Sequence, residues 1–78
     1  PSTKFNYNIS TAGNVNLIIY DVLGEQVSVV INEYQNPGNY EIVWTANDEN
    51  NISLPSGMYI AKLQSGDKVQ SIKILVLK

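Results

Sequence analysis

The 78-residue chain has no cysteine and no histidine. That removes disulfides, the thiol nucleophile, the usual general base and most zinc ligand sets. Arginine is also absent, and five lysines are scattered among seven acidic residues, for a formal net charge of -2. No basic stripe exists to release counterions from a nucleic acid, so neither DNA nor RNA is an expected partner. No apolar run approaches the ~20 residues that a membrane-spanning helix needs. No signal peptide opens the chain, and it begins at Pro1-Ser2-Thr3 without methionine, as expected of a piece excised from a longer protein. There is one tryptophan and one phenylalanine.

The length suits one domain, 1–78, with a thin core in which every large apolar residue matters. An apolar fraction of 44% fits a folded globule. Helical periodicity is missing and alternation is everywhere. Phe5, Tyr7 and Ile9 share one strand face. Val15, Leu17 and Ile19 alternate with Asn16, Ile18 and Tyr20, a strand apolar on much of both faces and so expected to be central. Asp21-Val22-Leu23-Gly24 reads as a type I turn, with Asp first and Gly fourth. Val27, Val29 and Ile31 predict a third strand, and Asn36-Pro37-Gly38-Asn39 the next turn. In the fourth strand Tyr40, Ile42 and Trp44 face one way, with Trp44 the obvious core anchor.

The polar stretch TANDENNISLPSG has room for a short extra strand. Tyr59, Ala61 and Leu63 then alternate with Met58, Ile60 and Lys62, and Ser65-Gly66-Asp67 makes a tight hairpin. In the last strand Ile72, Ile74 and Val76 fit one face, Leu75 and Leu77 the other. Either both faces are covered there or a bulge switches them. Six to seven short strands joined by Gly, Pro and Asn turns predict an all-β, immunoglobulin-like antiparallel β-sandwich.

Catalysis has little to work with. Asp48 and Glu49 are adjacent on a loop and diverge, whereas paired carboxylates must flank a substrate. No enzyme activity, catalytic residue or cofactor is expected. Oxygen ligands cluster at 47–51, but Ile52 stands where an EF-hand ligand should be and Ser53 replaces its glycine. A solvated turn with Asx side chains bonding the local backbone is favoured over a calcium site. Tyr20 and Tyr34 are the better candidates for exposed rings, which leaves carbohydrate binding as an alternative. Asn8-Ile9-Ser10 and Asn51-Ile52-Ser53 match the glycosylation sequon, but ten asparagines make chance matches expected.

The order of the pieces PSTKFNYNIS, VNLIIYDVLGEQV, PGNYEIVW, DENNISLPSGMYIAKL and KILVLK resembles the C-terminal sorting domain of type IX secretion cargo from Bacteroidetes. It is also similar to the Ig-like domain of the flagellar hook-capping protein. The likeness covers essentially the whole chain, through short motifs whose order and spacing are more specific than any one of them. It implies structural roles for Tyr20, Asp21, Gly24, Gly38 and Trp44. It implies sorting-motif candidates at Pro55, Gly57, Tyr59, Gly66, Lys73, Val76, Leu77 and Lys78, with Pro1-Ser2-Thr3 as the end of a truncated opening motif. The sorting family has Gly where Asn51 stands, and Asn tolerates positive φ well enough to keep the turn.

On the sorting resemblance the domain is a secretion address for a larger cargo in the same chain. It would engage an outer-membrane translocon and be removed by a sortase-like peptidase. The cargo would pass through the periplasm and end secreted or on the cell surface, and SIKILVLK would be both last strand and part of the address. The alternatives are a structural Ig-like spacer, a hook-cap-type module, or a carbohydrate-binding accessory module. Each motif residue also has a plain structural reading: Gly57 fits a backbone only Gly adopts, Pro55 stiffens a loop, and Lys73 guards an edge strand. An exposed edge strand would let two copies pair.

Overall fold

The computed structural model describes residues 2–78, so Pro1 of the opening motif lies outside the described residues. Six strands follow in chain order: β1 (Thr3–Ile9), β2 (Gly13–Tyr20), β3 (Gln26–Gln35), β4 (Gly38–Trp44), β5 (Gly57–Ser65) and β6 (Lys68–Val76). They form two antiparallel sheets of unequal width, β1-β4 and β3-β2-β5-β6. The Ig-like sandwich expected from the alternation is therefore present, and with the smaller count of strands. The stretch 45–56 adds only an isolated bridge, Asn47 to Ser53.

β2 is central because one of its faces is wholly apolar and much of the other is apolar too. Val15, Leu17 and Ile19 are almost fully buried between the sheets, and β3 and β5 flank it on both edges. In the two-stranded sheet Phe5 lies opposite Ile42 and Tyr7 opposite Tyr40. The two tyrosine rings stack at 5.4 Å with an interplanar angle of 13°. Trp44 is buried, and its indole Nε1 donates to the Asn47 carbonyl. Truncating such an indole costs about 3–5 kcal/mol.

Two strands depart from simple alternation. β3 holds Val27, Val29 and Ile31 as expected, but not on one face: Val29 is exposed, whereas Ser28, Ile31 and Gln35 are buried. The pairing with β2 shifts register between Leu17 and Ile18 and again between Ile19 and Tyr20. Each shift leaves one extra β3 residue, Val30 and Val27, and both of these pack partly against the core. Bulges convert a period of two into a spacing of three.

β6 needs neither of the devices expected for it. Its pairing with β5 is unbroken from Gly57–Val76 to Ser65–Lys68. Ile74 and Val76 are buried, while Leu75 and Leu77 stay exposed on the uncovered side. Ile72 shares the inward phase yet is 55% exposed, because the two-stranded sheet does not reach over it. The β1–β4 register starts at Thr3 opposite Trp44, and Trp44 leads into the 45–56 segment that returns to Gly57, opposite Val76. The start of β1 and the finish of β6 thus lie at the same end of the sandwich.

Candidate functional site

That end is built from the β2–β3 loop, the 45–56 segment and the residues after β6. Two of its turns share one construction. Asp21 Oδ1 accepts the backbone N–H of Leu23 and of Glu25, each at 2.9 Å. Gly24 N donates to Asp21 O, and Asp21 N donates to Glu25 O. Asp48 repeats this residue for residue: its Oδ1 accepts Asn50 N and Ile52 N, Asn51 N donates to Asp48 O, and Asp48 N donates to Ile52 O. The fourth position is left-handed in both, Gly24 at φ 84° and Asn51 at φ 63°. Asparagine keeps the turn, as its tolerance of positive φ predicts.

The two loops are also tied together. Glu49 N donates to the Val27 carbonyl, and Gln26 Nε2 donates to Glu49 Oε1 at 2.7 Å. Asp48 Oδ1 is already engaged by two backbone N–H groups of its own turn. Among the described residues no group of three or more acidic, His or Cys side chains gathers to hold a metal ion.

Beside these loops sit most of the residues singled out by the resemblance to the sorting family. Tyr59 is buried, and its hydroxyl donates to the Pro55 carbonyl at 2.7 Å. Gly57 pairs with Val76, and Lys78 N donates to Ser56 Oγ at 3.1 Å. Pro55, Gly57, Tyr59, Val76, Leu77 and Lys78 are therefore brought together although about 20 residues separate the two halves. Gly66 is not with them. It occupies the β5–β6 hairpin at the opposite end, at φ 59°, the first central residue of a two-residue loop between Ser65 and Lys68. A positive φ there alone is the type II′ pattern. Lys73 projects from the outer face of β6, opposite Ile60.

Of the structural-motif residues, Trp44 is core and Asp21 and Gly24 form the first Asp loop. Tyr20 is half-buried at the finish of β2, and Gly38 opens β4 opposite Ile9. Sequence reasoning missed the apolar tips at the loop end. Val22 and Leu23 are 68% and 82% exposed, and Ile52 and Leu77 are also largely exposed. The available signal was that a type I turn has no need of two apolar residues at its centre.

The carbohydrate alternative gains no platform. Tyr34 is exposed, but Tyr20 is half-buried, and the two lie near opposite ends of the β2–β3 pair. Tyr7 hydrogen-bonds Gln35 Oε1 through its hydroxyl at 2.9 Å. Burial pushes its phenol above the ordinary value, the Gln35 bond opposing this.

Two unequal antiparallel sheets, a buried tryptophan and inter-sheet crossovers define the class: an immunoglobulin-like sandwich. Within it the chain belongs to the FlgD Ig-like domain family, whose model matches residues 2–68. A solved structure, FlgD from P. aeruginosa, superposes on 97% of this chain with a TM-score of 0.66 at 24% identity. At that identity the likeness shows the fold. The chain spans 60% of that FlgD chain. No curated protein matches it.

Proposed function

We propose that this domain is a non-catalytic, hook-cap-type Ig module that serves a larger polypeptide by holding and presenting protein-contact surfaces. The observation that carries this is the family match over residues 2–68. The side-chain inventory supports it: the site is made of turns, a tyrosine–carbonyl bond and exposed apolar tips, with no nucleophile–base pair. Its partners are other protein chains, met through the loop end that carries Val22, Leu23, Ile52 and Leu77.

A second reading, the type IX sorting domain, is favoured by one specific observation. Pro55-Ser56-Gly57 and Val76-Leu77-Lys78 are joined by the Lys78–Ser56 bond and the Gly57–Val76 pairing, as an address read from a folded surface would require. Its partners would be an outer-membrane translocon and a sortase-like peptidase, with transit through the periplasm to the surface or medium. A fusion separates the two readings. Residues 1–78 are placed at the C-terminus of a secreted reporter in a type IX-competent bacterium. On the hook-cap-type reading the reporter stays periplasmic with the folded domain attached. Surface or medium delivery with loss of the domain overturns that reading in favour of the address.

A further inference from the structure

The two sheets of the sandwich differ in width by two strands. Because two strands face four, β1 has one paired edge and one free edge. Beside the free edge runs a groove of about 480 Å³. Its walls are Phe5 and Tyr7 of β1, and its floor is the inner face of the wide sheet, chiefly Leu63 and Ile72. It continues past Asn8 and Ile9 to Ser10 and Lys68. Ile72 is an inward-phase isoleucine left 55% exposed on that floor, which is the gap a neighbouring strand would close.

We propose that this groove takes an extended segment of a partner polypeptide that adds to the free edge of β1 as a third strand of the narrow sheet, and that the segment alternates apolar and polar residues between acidic ends. The alternation follows from the pleat, since one face of an added strand would cover Leu63 and Ile72 and the other would meet water. The acidic ends follow from charge. Lys4 lies at one end of the groove and Lys68 at the other, and no acidic residue lines it among the described residues. Lys4 has only a loose, exposed ion pair with Glu41, at 3.8 Å, to give up. Asp67 lies beyond, on the hairpin tip. A single segment fits better than a second copy. The floor that carries Ile72 extends beyond the β1 edge, so a copy docking β1 against β1 would bring its own overhanging floor into this one. From Lys4 to Ser10 the free edge spans about 20 Å, the length of a seven-residue strand.

The test uses the 78-residue chain and a blocked seven-residue peptide of alternating valine and threonine with one acidic residue at each end. Amide chemical shifts and hydrogen exchange are followed as the peptide is added to about 1 mM. The expected result is perturbation along Thr3–Ser10 and Lys68–Ile72, with slowed exchange on alternate amides of β1. The double variant Lys4→Glu, Lys68→Glu should bind the acidic peptide about three- to tenfold more weakly at low salt, and a lysine-ended peptide more tightly. Ile72→Asp should weaken binding to both. If that variant fails to fold, the charge swap alone decides. No perturbation along β1, perturbation centred on the β3 edge, indifference to the charge swap, or a β1-mediated dimer of the chain without peptide would each overturn the proposal.

Discussion

The two Asp loops make their first prediction at a single carbon. Gly24 and Asn51 occupy the same left-handed position in the same turn, and only Asn51 carries a Cβ. Asn51→Gly should raise stability by about 0.5–1 kcal/mol in a denaturant melt, if relief of the left-handed penalty outweighs the extra unfolded-state entropy. A loss of stability would show that the Asn51–Asn47 side-chain bond matters more. Asp21→Ala and Asp48→Ala each remove the side-chain acceptor of two backbone N–H groups, and each should cost about 1–2 kcal/mol. Chelation should change nothing if Asp48 serves its turn, and a fall in melting temperature with EDTA would restore the calcium reading. Tyr7 sets an alkaline limit. Its folded pKa lies above the unfolded value of 10.0, so its contribution is intact below about pH 10 and is lost as pH rises through the folded value. Tyr7→Phe should flatten that alkaline decline, which a pH series of thermal melts would show. At this scale the sequence was readable wherever a residue type announces its backbone. Asp-x-x-Gly marked one turn, and Asn51 was flagged for its tolerance of positive φ. Ala46 was not, because a buried alanine at φ 61° carries no such signature.

Among the strands, burial predicts effects that hydrophobicity alone does not. Ile74 and Leu75 are neighbours of equal bulk, but only Ile74 is buried. Ile74→Ala should cost about 2–4 kcal/mol, whereas Leu75→Thr should stay within about 0.5 kcal/mol. Equal losses in urea melts would mean that the outer face of β6 is covered in solution. The same contrast explains what was legible. β1, β2, β4 and β5 keep strict alternation, so their inward faces followed from period two. β3 did not, because two bulges moved Val27 and Val30 toward the core and Val29 away from it. A bulge is set by the partner strand, and nothing within VSVVI marks one. The β6 puzzle arose because each Leu and Ile was expected to find cover. The narrow second sheet supplies cover for Ile74 and Val76 only.

For the whole molecule, topology governs both folding and the site. Both hairpins, β2–β3 and β5–β6, are local, but the β1–β4 and β2–β5 pairings close long loops. Folding should therefore fall in the ms–s range typical of β-sandwiches. The candidate site was legible as a set of short motifs but not as a place. Nothing in the order of residues separates Gly66, at the far hairpin, from Pro55 and Tyr59, which meet Val76 and Lys78 across the β5–β6 pairing. Strand parity decides that, and it decides one thing more. Thr3 and Val76 emerge at the same end of the sandwich. Tension applied between them would open β1 and β6 like two zippers, one backbone bond at a time, instead of shearing whole strands. A module wired in this way is poorly suited to bearing load along a line.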